Sequence, residues 1–246
     1  MHYISDLVSH LNDYLQIALF TDYCPNGLQV EGKHEVKRVA TAVSASEKVI
    51  QEAIEKKADL LIVHHGLFWN KDSYVVTGPK MRKLKLLLES GLNLAAYHLP
   101  LDAHQEVGNN WKAARDLGWN DLQPFCSIGV QGKVHPQSRE GFQATLEAYY
   151  GQKAAVVWGG KDKIASCALI SGGAYRSVED ASKAGVDAFI TGNFDEPAWH
   201  MAHEEKINFL AQGHAATEKV GPKALGEYIQ STFELETFFI DEANPF

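Results

Sequence analysis

Apolar residues along this chain fall into short runs, separated by stretches in which they recur every three or four positions, and that alternation predicts strands joined by helices. The runs Val39-Ala40-Thr41-Ala42-Val43, Leu60-Leu61-Ile62-Val63 and Asn93-Leu94-Ala95-Ala96 predict three strands. Between the first two, Ser46 to Lys57 places Val49, Ile50 and Ile54 at helical spacing. The same order returns later in Cys167-Ala168-Leu169-Ile170-Ser171, Val186-Asp187-Ala188-Phe189-Ile190-Thr191 and Asn208-Phe209-Leu210-Ala211, with a helix expected from Ser177 to Gly185. The first two strands of each set match at a constant offset of 128 residues. Strands alternating with helices of this length pair in parallel through right-handed crossovers. The fold expected is therefore α/β, with two similar α/β domains related by an internal repeat. The first is expected over 1–126 and the second over 127–246, with the C-terminal part from about 207 able to pack with the first. The turn formers Pro124, Gly129, Gly132, Pro136, Gly151, Gly159 and Gly160 mark 118–163 as a junction that adds strands and a helix.

Charge and cysteine usage narrow the partners. Lys and Arg number 23 against 31 Asp and Glu, a formal charge of -8, which disfavours a nucleic-acid backbone as partner. Cys24, Cys126 and Cys167 form no C-x-x-C pair and read as small buried hydrophobes in a reducing compartment. Met1-His2-Tyr3-Ile4-Ser5-Asp6-Leu7 lacks the basic and apolar regions of a signal peptide, and no later apolar run approaches a membrane span. A cytoplasmic protein without a membrane partner is expected.

Chemistry collects where the predicted strands end. Leu60 to Val63 runs into His64-His65-Gly66, the third strand into His98 with Asp102 just beyond, and Phe209-Leu210-Ala211 into Gln212-Gly213-His214 with Glu218 beyond. Ligands bind at the carboxyl ends of strands in open α/β sheets, and histidine is the commonest metal ligand, so a metal site is expected there. Side chains alternate along a strand, so His64 and His65 should diverge and serve one ion each unless the chain turns sharply there. His214 and Glu218 share a helical face if Ala215-Ala216-Thr217 forms a first turn, with Pro222 near the start of the helix that follows. A carboxylate such as Glu218 can bridge two cations that activate water. In the second repeat Gly192 and Asn193 align with His64 and His65, so that ligand pair exists once.

Other motifs carry plainer readings. Pro25-Asn26-Gly27 signals a turn, evenly balanced against a role near the site, and Gly108-Asn109-Asn110-Trp111 a helix started by an Asn cap. Ser171-Gly172-Gly173 lacks both nucleotide-loop spacings and reads as a tight turn. Lys80, Arg82, Lys83 and Lys85 form the solvated side of a helix. His104, His135, His200 and His203 have no strand-end context.

Together, Cys24 to Gly32, Val63-His64-His65-Gly66, His98-Leu99-Pro100-Leu101-Asp102, Gly108-Asn109-Asn110, Gly213 to Glu218 and the closing Ile240 to Pro245 resemble the NGG-interacting-factor-three-like family, also called GTP cyclohydrolase 1 type 2 homologues. The likeness is to its short bacterial members. It implies two α/β domains, a dinuclear metal centre and a ring-shaped homo-hexamer. Carried onto this sequence, the metal ligands are His64, His65, Asp102, His214 and Glu218. Glu218 bridges, with His64 and Asp102 on one ion and His65 and His214 on the other, and His98 stands nearby as acid/base. Asn193 departs from the acidic residue often found at its place in the family. The function implied is a dinuclear metal-dependent hydrolase with GTP cyclohydrolase type activity on a nucleotide or other small molecule, the alternative being a non-catalytic metal-binding, metal-handling or regulatory protein. Two divalent ions per chain are expected, and donors without sulfur suit zinc, iron, manganese or nickel.

Overall fold

The computed structural model describes residues 2–246. The chain begins with β1 (His2–Tyr3), α1 (Ile4–Tyr14), β2 (Gly27–Val30) and β3 (Glu35–Val36). The predicted alternation follows: β4 (Arg38–Ser44), α2 (Glu47–Glu55), β5 (Leu60–His65), α3 (Gly78–Ser90), β6 (Asn93–Ala96) and α4 (Leu99–Ala103). Next come α5 (Asn109–Asp116), β7 (Asn120–Phe125), β8 (Gly129–Ser138), α6 (Arg139–Tyr150) and β9 (Ala155–Trp158). The second alternation is β10 (Lys163–Ile170), α7 (Val178–Lys183), β11 (Ala188–Thr191), α8 (Glu196–Glu204) and β12 (Asn208–Ala211), before α9 (His214–Thr217), α10 (Val220–Phe233) and β13 (Glu236–Phe239).

Two compact units result. One holds the chain up to Leu101 together with Gly221–Ala243, the other Asp102–Val220 with Asn244–Phe246. Residues 102–126, expected in the first domain, lie in the second, because α5 buries Trp111, Ala113 and Ala114 in a core with Val130, Leu169 and Leu210. The chain returns to the first unit at Gly221 rather than near 207, since β12 pairs with β11 whereas β13 pairs in parallel with β4.

The first unit carries a sheet of order β13-β4-β5-β6-β2 and the second one of order β7-β8-β10-β11-β12-β9. The three repeated strands of each sheet are parallel to one another, as the pattern predicts. They read as nearly continuous apolar runs because both faces are covered. Ala40, Ala42, Leu61, Val63, Leu94 and Ala96 face one core of the first unit, while Val39, Leu60, Ile62 and Ala95 are equally buried on the opposite face. Ser46 caps α2, its Oγ accepting from Val49 N–H at 3.1 Å, a bond of the kind that contributes about 1 kcal/mol. The helix then turns Val49, Ile50 and Ala53 inward.

The repeat reaches individual hydrogen bonds. Asn93 Nδ2 donates to the carbonyls of Lys33 and Asp59 while its Oδ1 accepts from Gly32 N–H. Asn208 does the same with Lys161, Asp187 and Gly160. Asp59 Oδ2 accepts from Lys37 and Arg38 N–H, and Asp187 Oδ2 from Ala165 and Ser166 N–H. Each third strand also gains an antiparallel neighbour, Gly27 opposite Ala96 and Ala155 opposite Ala211, although β2 then shifts register between Leu28 and Val30. Buried amides satisfied in this way fix where each strand begins.

Two smaller expectations change. Cys24 and Cys167 are buried, but Cys126 is exposed, at the turn between β7 and β8 where it takes a φ of 49°. Gly108, not an asparagine, caps α5; Asn109 and Asn110 are fully buried inside it. Of the basic residues of α3, Arg82 and Lys85 are exposed as expected, whereas Lys80 and Lys83 are half-buried, Lys83 Nζ donating to the Ala45 carbonyl at 3.0 Å; only Leu87 of that helix is fully buried. Among the described residues no helix is long and apolar enough to cross a membrane.

Candidate metal centre

In the first unit β5 delivers His64 and His65 at its carboxyl end. His64 is fully buried and its Nδ1 donates to the Tyr97 carbonyl at 3.1 Å, the tautomer that makes Nε2 the lone-pair nitrogen. His65 is half-buried, with Nδ1 3.1 Å from Ser44 Oγ on the neighbouring strand. The rings do not diverge as strict alternation predicts: their centroids are 4.7 Å apart, because the strand ends at His65. His98, just past β6, joins them, and one ring nitrogen from each of the three lies within 4.8 Å of the others.

His98 is held by the segment around Pro25-Asn26-Gly27, which the sequence balances between a plain turn and a role near the site. Its Nδ1 donates to Asp22 Oδ1 at 2.8 Å, and its backbone N–H to Asn26 Oδ1, also at 2.8 Å. Asp22 Oδ1 further accepts from Tyr23 and Cys24 N–H, and Oδ2 from Asn26 Nδ2 and Leu99 N–H. Burial alone would raise the Asp22 pKa. The hydrogen bonds from His98 and Asn26, the His98 charge and the Leu99 N–H outweigh it and hold the carboxyl far below the usual carboxylate range. Gln29, from the same segment, accepts from Leu67 N–H and donates to the Pro25 carbonyl, which pins the loop after His65.

The second unit places the remaining candidates. Asp102 is 3 % exposed; its Oδ1 accepts from Asn109 Nδ2 at 2.9 Å and Ser171 Oγ at 2.8 Å. Asn110 spans the same ground, donating to the Asp102 and Ile128 carbonyls and accepting from Ser171 N–H. His214 opens α9, and its Nε2 sits 3.1 Å from Glu218 Oε1, the juxtaposition expected of an i to i+4 pair. Its Nδ1 donates to Asn193 Oδ1 at 3.0 Å, so a neutral amide orients this imidazole. Gly172, in the turn after β10, has a φ of 67° and leaves space beside the pair that a Cβ would fill: it would stand 2.3 Å from Glu218 Oε1 and 3.2 Å from His214 Nε2.

A family model described as Duf34/NIF3 (NGG1p interacting factor 3) matches residues 2–245. The chain belongs to the Duf34/NIF3 family. A Chlamydia pneumoniae protein named GTP cyclohydrolase 1 type 2 homolog is 50% identical over 249 residues, covering 99% of each chain. Among solved structures, ybgI, a protein of unknown function, matches with a TM-score of 0.96 and 38% identity, over 99% of this chain and 100% of its own. TTHA1606 from Thermus thermophilus matches with a TM-score of 0.94 and 36% identity over all of both chains.

In this Duf34/NIF3 chain the histidine and carboxylate groups could hold a metal ion. The residues fit one chemically. They offer imidazole and carboxylate donors on strand ends, with orienting hydrogen bonds behind His64, Asp102 and His214 of the kind that fix metal ligands. Gly172 keeps the space beside His214 and Glu218 open. Asp22 escaped the sequence reading, Asn109 was read only as a cap and Ser171 only as part of a tight turn, whereas Asn26 was weighed evenly between a turn and a role near the site. Asn26 and Asn109 lie within Cys24 to Gly32 and Gly108 to Asn110, segments that carry the family resemblance, whereas Asp22 and Ser171 lie outside the segments that carry it.

Proposed function

We propose that this protein is a metal-dependent hydrolase with a dinuclear centre, and that GTP ring opening is its candidate reaction. What supports the reading is the donor set: two histidines ending β5, and an aspartate, a histidine and a glutamate around α4 and α9, all nitrogen or oxygen donors. The proposed ligands are His64, His65, Asp102, His214 and Glu218. Glu218 would serve both ions, with His64 and Asp102 holding one and His65 and His214 the other, and these nitrogen and oxygen donors would suit zinc, iron, manganese or nickel. A bound pair of divalent ions lowers the pKa of water and polarises a substrate oxygen.

The chain's own residues supply the rest. His98, beside His64 and His65, accepts or delivers the proton. Asn109 and Ser171 keep Asp102 oriented, and Asn193 keeps His214 oriented. We further propose a cytoplasmic, closed homo-hexamer.

Elemental analysis of anaerobically purified protein is expected to give two divalent ions per chain, followed by turnover of one substrate in a screen across nucleotides and other hydrolysable compounds. Saturation at one ion or fewer sinks the dinuclear reading. Fully metallated protein that turns over nothing is a metal-handling protein instead. Light scattering is expected at six times the 27.2 kDa of one chain.

A further inference from the structure

We propose that Asp22 is the positioning residue for His98: its carboxylate fixes the imidazole as the Nδ1–H tautomer in one orientation, so that Nε2 is the proton-accepting nitrogen beside His64 and His65.

Five donors surround the Asp22 carboxylate and its side chain is 3 % exposed, so it acts there as an acceptor only. A ring nitrogen 2.8 Å from such an oxygen must carry the hydrogen. Turning the ring over would exchange that charge-assisted bond for a carbon–oxygen contact, and charge-assisted bonds are the strong ones. The ring is hemmed in as well. Trp69 meets it edge to face at 5.1 Å between centroids, and Tyr23 lies at 5.7 Å. The backbone is fixed by the same turn, since Asn26 takes the His98 N–H and Asp22 the Leu99 N–H. A purely structural Asp22 would need only its Oδ2 bonds and those to Tyr23 and Cys24. The bond to the ring is additional, and it decides which nitrogen reacts. Histidine held by a buried carboxylate recurs in both acid/base and metal-ligand roles.

The effect on turnover rests on the acid/base reading of His98 given above; the tautomer does not. The test is long-range proton–nitrogen correlation NMR on metal-free protein labelled with ¹⁵N at histidine, with His98→Gln to assign the ring. In wild type, His98 is expected to show a protonated Nδ1 and a bare Nε2. In Asp22→Ala the signals should move to a mixture in which protonated Nε2 predominates. A wild-type ring protonated at Nε2 overturns the proposal, and so does a folded Asp22→Ala protein that keeps the wild-type tautomer. Should that variant not fold, the wild-type spectrum alone decides. With the substrate from the screen, Asp22→Ala should lower kcat by about 10-fold or more while KM stays within about twofold, the range of a lost acid/base contribution. The double variant with His98→Ala should be no slower than His98→Ala alone, because Asp22 acts through His98; effects that multiply overturn the proposal. If wild type turns over nothing, the hydrolase reading fails and the NMR result still judges the tautomer.

Discussion

Asn93 in the first unit and Asn208 in the second make the same three hydrogen bonds at the start of matching strands, yet the residues at the opposite ends of those strands differ. Where the first unit has Ser44, His64 and His65, the second has Gly172, Gly192 and Asn193 at the repeat offset. Ser44 contacts an imidazole of its own sheet; Gly172 has no side chain and makes room beside one. The two units thus keep strand starts for stability and leave strand ends to diverge. The first unit carries His64, His65 and His98 at its strand ends, and the second carries Asp102, His214 and Glu218.

If that division holds, removing a carboxylate should cost the most metal. Glu218→Gln is expected to fall below one ion per chain by elemental analysis, because the proposed bridging ligand would serve both ions, whereas His64→Ala should keep about one. Equal retention in the two variants would break the comparison. A smaller effect is expected at His98, whose substitution by Ala should leave metal content near wild type and lower turnover by about 10²-fold, the usual scale for a general acid/base. Full turnover in that variant would remove its assigned role.

The shared strand starts predict symmetry instead. Asn93→Ala and Asn208→Ala each strand buried backbone groups and should each cost about 2–4 kcal/mol in urea unfolding, with metal content unchanged. A neutral result in one unit would show that the repeated network is not equally important to both.

The smallest effect lies in the acid limb of stability. The folded pKa of Asp22 is depressed, so its contribution is fully present above the unfolded value of about 3.9 and is lost as pH falls toward the folded one. Unfolding free energy measured between about pH 5 and 2 should decline less steeply in Asp22→Asn than in wild type. Parallel slopes would mean that the carboxylate contributes nothing through its charge.

How much of this was legible depended on the range of the interaction. The repeat and its parallel strands could be read because Val39 to Val43 and Cys167 to Ser171 carry their pattern locally, and His214 with Glu218 because a helical turn fixes that distance. Asp22 could not be read. It reaches His98 from 76 positions away, and no periodicity links them. Asn109 and Asn110 look like caps because asparagine favours helix starts, and only the tertiary burial of Asp102 turns them inward. The domain boundary was misplaced because Trp111, an ordinary helical apolar residue, does not reveal which core it fills.

The pairing of β13 with β4 has a consequence for synthesis. The first unit's sheet needs Glu236–Phe239 beside Arg38–Thr41, so roughly two hundred residues must leave the ribosome before that edge of β4 is covered. All but the last three residues of the second unit have by then been made. Until β13 arrives, β4 presents a bare strand edge, the feature most prone to pairing with another chain. A nascent chain stalled before Glu236 is therefore the form of this protein most in need of a chaperone.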